Sequence, residues 1–147
     1  MKKILVATDG SDHAKKAVEL ASDFAVKHHA TLFLVHVVQE SKVPEWIIHY
    51  AQQKAIPESP EYVHLEMAGK RIIEAGEKVA KGIGVTRIRP TLLVGDPAEE
   101  IITFAKQSDI DMIIMGRRGL GKVEELLLGS VSHKVSRLAN CTCVTVK

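Results

Sequence analysis

Aromatic residues make up only 4% of this 147-residue chain. Phe24, Phe33 and Phe104 sit singly in apolar segments and are not interleaved with basic side chains, so the stacking platform that single-stranded nucleic acid needs is missing. Cysteine is scarce too. Cys141 and Cys143 are too close for an ordinary structural cross-link, and no second Cys pair or Cys/His array accompanies them to hold zinc. Neither sign of charge dominates: 20 Lys and Arg against 18 Asp and Glu leave a net charge of +2, too little to draw nucleic acid by a global field. No run of 18 apolar residues exists to span a bilayer, and the opening run through Ala7 breaks at Thr8-Asp9 before a signal-peptide core would be complete. The expectation is a cytoplasmic protein in a reducing compartment, without membrane insertion and without a nucleic-acid partner. At 46% hydrophobic residues the chain is too apolar for disorder, and its length fits one domain spanning residues 1–147.

What is present is an alternation of strand-like and helix-like segments. Lys3 to Ala7 is a short β-rich run, followed by Thr8-Asp9-Gly10-Ser11, where Ser11 or Asp12 can cap a helix. Ala14, Ala17, Val18, Ala21, Phe24 and Ala25 recur in steps of three and four and form one helical stripe. Thr31 to Val38 is nearly continuous apolar sequence, as for a strand covered on both faces. Residues 39–61, with Pro44, Pro57 and Pro60, read as an excursion. Its Trp46, Ile47 and Tyr50 suit either packing on the domain's own surface or a lid. From Tyr62 to Ile83 a helical stripe returns, in which Gly69 and Gly76 allow close approach to a neighbour. Ile88 to Val94 predicts a third strand, confined to a sheet edge by Pro90. Asp96-Pro97-Ala98-Glu99 reads as a helix start, with a carboxylate cap, proline at the first helical position and a glutamate three residues after the cap. Met112 to Met115 runs as a fourth strand into Gly116, a helix begins at Ser130, and Cys143 to Val146 forms a fifth strand. Such alternation implies an α/β fold, a parallel sheet with helices on both faces.

Ligands of open parallel sheets bind beyond the carboxyl ends of strands where the chain order reverses. Two strand ends carry suggestive residues: Ala7-Thr8-Asp9 after the first and Met115-Gly116-Arg117-Arg118-Gly119 after the fourth. Gly116 to Lys122 has the spacing of a P-loop, but Val123 stands where the Mg²⁺-binding hydroxyl belongs. The dinucleotide fingerprint fails as well, because Glu124 replaces its third glycine. The remaining pattern is Gly116, two residues, Gly119, nine residues, then Gly129-Ser130 at a helix start. Glycines let backbone N–H groups turn toward an anion, and a helix N-terminus adds unpaired amides and a favourable dipole. Ser130 and Ser132 offer hydroxyls. Arg117, Arg118 and Lys122 suit either phosphate screening or a solvated basic loop. Taken alone, Asp9 is a turn residue and any one of these glycines a turn device; the set is what carries weight. The seven histidines show no metal spacing, and His36 reads as a buried or strand-end histidine.

In the spacing of Gly116, Gly119, Gly129 and Ser130 the chain resembles the nucleotide-binding branch of the universal stress protein family, whose motif is G-2x-G-9x-G-(S/T). The resemblance extends over the whole chain, through Ile4 to Ser11, His36-Val37, Val94 to Pro97 and Leu128 to Ser132. It implies a single-domain, Rossmann-like, five-stranded parallel sheet of order 3-2-1-4-5. It implies an ATP site at Ala7, Thr8, Asp9, Val37, Met115, Gly116, Arg118, Gly119, Gly129, Ser130, Val131 and Ser132. Asp9 would hold the ribose hydroxyls or a metal ion, with Mg²⁺ bound through the phosphates, and Val37 would meet the adenine edge through its backbone. Ala7 stands where some members have proline, and Arg118 where some have histidine. No paired carboxylates, Ser-His-Asp set or nucleophilic cysteine is evident, so no catalytic residue is assigned. The expected function is an ATP-binding (or ADP- or AMP-binding) regulatory module of a stress response with unidentified protein partners. The alternatives are a slow, metal-dependent ATP hydrolase and a dimerising module without nucleotide. The resemblance further implies a homodimer through the C-terminal strand Cys143–Val146.

Overall fold

The computed structural model describes residues 1–39, 60–119 and 128–147. The excursion's Trp46, Ile47 and Tyr50, and Lys122 of the basic loop, lie outside the described residues. Strand β1 is Lys3–Ala7, and its Ile4, Leu5 and Val6 are wholly buried, each contributing about 2 kcal/mol by leaving water. Helix α1, Asp12–Lys27, is capped by Ser11, whose side chain accepts from the Ala14 N–H; Asp12 in its first turn and Lys27 in its last both suit the helix dipole. Strand β2 is Thr31–Gln39. Helix α2, Pro60–Ile83, starts two residues before the apolar stripe, at a proline whose missing N–H costs nothing in a first turn.

Strand β3 is Ile88–Gly95, and helix α3 is Pro97–Gln107 with Asp96 as its N-cap. The Asp96 carboxylate accepts from the Glu99 N–H at 2.9 Å, but the Glu99 carboxylate turns away to Lys134 at 3.0 Å. Strand β4 is Met112–Gly116, helix α4 is Ser130–Leu138, and β5 is Thr142–Val146, one residue longer at its start than the apolar run suggests.

The five strands form one parallel sheet in the order β3-β2-β1-β4-β5. β3 is an edge strand, as Pro90 requires; that proline stands opposite Leu34. Side chains alternate across the sheet. Ile4, Val6, Leu32, Leu34 and Ile114 pack with α1 and α2 on one face, while Leu5, Val35, Ile113 and Met115 pack with α3 and α4 on the other. Gly69 and Gly76 bring α2 directly onto β2, since Cβ atoms there would press on Leu92 and His36, and on Leu34. Among the described residues no helix is long and apolar enough to cross a membrane.

Candidate functional site

β1 and β4 are neighbours, with Ala7 opposite Met115, so the two segments singled out in the sequence leave the sheet side by side at its carboxyl end. The first is shaped by short bonds. The Thr8 N–H donates to the Val35 carbonyl at 2.9 Å, the Gly10 N–H to Thr8 Oγ1 at 3.3 Å, and the Ser11 N–H to Asp9 Oδ1 at 2.9 Å. One oxygen of Asp9 is thus engaged in its own turn. The other, Oδ2, points at Gly119: a Cβ on residue 119 would overlap it.

Gly116 and Gly119 meet different neighbours. At Gly116 a Cβ would lie 2.9 Å from the Ala14 nitrogen and from the His13 carbonyl carbon, so β4 leaves the sheet pressed against the backbone of the first turn of α1. Gly119 is exposed, and among the described residues only the end of the Asp9 side chain opposes it closely. Around Gly116, His13 Nδ1 and Arg117 Nε are out of contact with water and have no hydrogen-bond partner among the described residues.

The far end of the glycine segment is pinned at Arg117. Its carbonyl accepts from the Gly129 N–H at 2.8 Å and from Ser132 Oγ at 2.8 Å, and its own N–H donates to the Val146 carbonyl at 2.7 Å. This ties residues 117 and 129 together and sets the start of α4 beside the end of β4. Gly129 caps α4 by backbone alone; among the described residues no side-chain cap bond is made to its first turn, which contains no acidic residue. The N-terminal end of α4 therefore keeps its positive dipole end.

Not every nominated residue turns its side chain to this crevice. Met115 is 3% exposed and belongs to the core, as does the half-buried Val131, so each can offer only its backbone. Ser132 is buried, with its hydroxyl bonded to carbonyls, whereas Ser130 is exposed and Arg118 half-buried. Ala7 and Thr8 line the end of β1. Val37 lies on β2, two residues past the last β1 pair, Ala7 with Val35. Alternate residues of a strand direct their N–H and C=O to opposite neighbours. Because the Val35 carbonyl bonds to Thr8, the backbone of Val37 faces the same flank, beyond the end of β1.

Two contributors were given no place in the site by the sequence. His13 packs beneath Gly116, and His36 Nδ1 lies 2.8 Å from the Thr8 carbonyl. A lone imidazole inside the apolar run of β2 was the available signal for the second. Among the described residues no group of three or more His, Cys, Asp or Glu could hold a metal ion. Away from the crevice, burial pushes both thiols up, Cys143 to about 11.

The whole chain, residues 1–147, matches the profile of the universal stress protein family. Universal stress protein YxiE of Bacillus subtilis is 39% identical over 150 residues, covering 99% of this chain and 98% of its own length. Universal stress protein MJ0577 of Methanocaldococcus jannaschii is 30% identical over 154 residues, covering 99% of this chain and 94% of its own. Its solved structure matches with a TM-score of 0.81 at 29% identity, over 99% of this chain and 95% of that one. A universal stress protein solved in complex with cAMP gives a TM-score of 0.71 at 25% identity, over 99% and 97% of the two chains.

Proposed function

The chain belongs to the universal stress protein family, and on that footing we propose that it binds ATP, or the related ADP or AMP, between the ends of β1 and β4. In this reading it is a single domain over residues 1–147 that acts as a nucleotide-responsive regulatory module in a stress response, passing its state to protein partners. The observation that carries the proposal is the opposition of the Asp9 carboxylate to Gly119, beside a helix start whose cap residue is Gly129. The cAMP complex of a relative supports an adenine nucleotide as the ligand class.

The roles follow from where each residue stands around the crevice. Gly116, Gly119, Gly129, Ser130, Val131 and Ser132 wrap the phosphates, with the N–H groups of Ser130, Val131 and Ser132 in the first turn of α4 donating and the helix dipole favouring the charge. Arg118 offsets part of that charge. Ala7, Thr8 and Met115 form the floor, and the Val37 backbone meets the adenine edge. Asp9 Oδ2 takes the ribose hydroxyls or Mg²⁺. A bare carboxylate would repel a triphosphate, so in the second role Asp9 would hold a Mg²⁺ ion that offsets the charge of both.

Slow metal-dependent hydrolysis is the competing reading, since Asp9 Oδ2 is a carboxylate oxygen set directly against Gly119. Phosphate release by wild type that disappears in Asp9→Ala favours hydrolysis; its absence from wild type favours the regulatory reading. A homodimer through Cys143–Val146 belongs to the same proposal, because β5 is an edge of the sheet, and sedimentation velocity tests it. A cytoplasmic setting suits the two free thiols. The decisive experiment is to denature purified protein, identify any released nucleotide by mass, and titrate the refolded protein with ATP, ADP, AMP and cAMP in the presence of Mg²⁺. Failure to bind any of them overturns the proposal.

A further inference from the structure

The Thr8 carbonyl is the first acceptor past the end of β1, just before the Asp9 turn. Continued by one step, a parallel ladder would give it the N–H of Val37, because the Thr8 N–H already bonds to the Val35 carbonyl. The ladder stops instead at Ala7 opposite Val35, and His36 Nδ1 lies 2.8 Å from that oxygen. A carbonyl only accepts, so Nδ1 carries the proton and donates. The ring is held in place from above. A Cβ on Gly69 would come within 3.0 Å of His36 Cδ2, which leaves the imidazole packed under the α2 backbone.

We propose that His36 is a positioning residue for base recognition: by taking the Thr8 carbonyl, its imidazole ends the β1–β2 ladder one step early and leaves the Val37 N–H for a ligand. The inference rests on the reading of Val37 as the contact to an adenine edge. It adds the reason that this backbone is open, although β2 lies between β1 and β3. It also separates base recognition from phosphate binding, because His36 is not among the near neighbours of Gly116, Gly119 or Gly129.

His36→Phe keeps a flat ring beneath Gly69 and removes the donor, whereas His36→Asn restores a donor close to the place of Nδ1. Calorimetry with ATP and with inorganic tripolyphosphate, both with Mg²⁺, is combined with amide exchange of Val37 in the ligand-free protein. In His36→Phe we expect about tenfold weaker ATP binding, the scale of one lost hydrogen bond to a ligand, with tripolyphosphate affinity unchanged. In the same variant the Val37 amide exchanges more slowly, since it now pairs with Thr8. His36→Asn stays within about threefold of wild type, less than half the free-energy loss of a tenfold change. Should the phenyl ring overfill its space and unfold the protein, His36→Ala carries the same expectation as His36→Phe. Wild-type ATP affinity in the donorless variant, or a folded His36→Asn as weak as His36→Phe, overturns the inference. If wild type binds no adenine nucleotide, the functional reading fails, and Val37 exchange still decides the ladder-ending role: an unchanged rate in the donorless variant overturns it.

Discussion

Gly119 opposes Asp9 so closely that any side chain at residue 119 would displace the Asp9 carboxylate from its place at the mouth of the crevice. Because the atom that must move is the far end of a side chain, the fold survives the change while the site does not. Gly119→Ala is expected to weaken Mg²⁺–ATP binding at least about tenfold, or about 1.4 kcal/mol. Its stability should shift by less than about 0.5 kcal/mol, as for a surface substitution. Calorimetry and thermal melts check both; undiminished affinity would remove the glycine segment from the site.

Gly116→Ala should behave in the opposite way. Its new Cβ meets the backbone of α1 at 2.9 Å, and a helix start cannot step aside as a side chain can. Overpacking of this kind costs about 2–3 kcal/mol. Urea unfolding should show a lower midpoint with an unchanged slope, and any loss of nucleotide binding should follow the unfolded fraction.

Asp111 fastens the start of β1 at the opposite end of the sheet. Its Oδ2 accepts from the Lys2 N–H at 2.7 Å and the Lys3 N–H at 2.9 Å, and these two bonds, the Lys2 one foremost, hold its carboxyl below the usual carboxylate range. A lowered folded-state pKa stabilises the fold above the unfolded-state value near about 3.9, and that contribution is lost as pH falls through the folded value. Asp111→Ala should therefore cost about 1 kcal/mol at pH 7, a figure limited by solvent screening of so exposed a group. The difference from wild type should shrink in acid, and urea titrations at pH 7, 5 and 3 would reveal a pH-independent cost if the charge is irrelevant.

Cys143 is held as a thiol. Partial burial is the main cause, with neighbouring Cys141 adding to it, and together they push the group up to about 11. Reaction with a disulfide reagent at pH 7.5 should be at least about tenfold slower than for free cysteine and should accelerate as pH rises toward that value. The same raised pKa makes alkali destabilising. Unfolded protein loses this proton near about 8.5, so stability should fall between there and 11. Rapid labelling of both thiols in the native protein at pH 7.5 contradicts this account.

Much of this molecule was legible because it is local. Ser11 and Asp96 cap the helices that follow them, the α1 stripe is buried at all its marked positions but the half-buried Phe24, and Pro90 lies on an edge strand. Each follows from chemistry within a few residues of chain. The glycine spacing was legible for a related reason, since it records where a backbone must come close to something.

What the glycines come close to was decided only by the tertiary structure. Gly116 meets α1 and Gly119 meets Asp9, more than a hundred residues earlier, because β4 pairs with β1. The Glu99 side chain, placed to complete a capping box, is drawn instead to Lys134 on α4. The Ser132 hydroxyl, a candidate phosphate donor by position, binds the Arg117 carbonyl. His36, unremarkable in an apolar run, reaches the Thr8 carbonyl. The sequence by itself determined the elements and their caps, because periodicity and capping act over a few residues. Which polar group meets which was decided by strand order, and strand order is a property of the whole sheet that no local pattern contains.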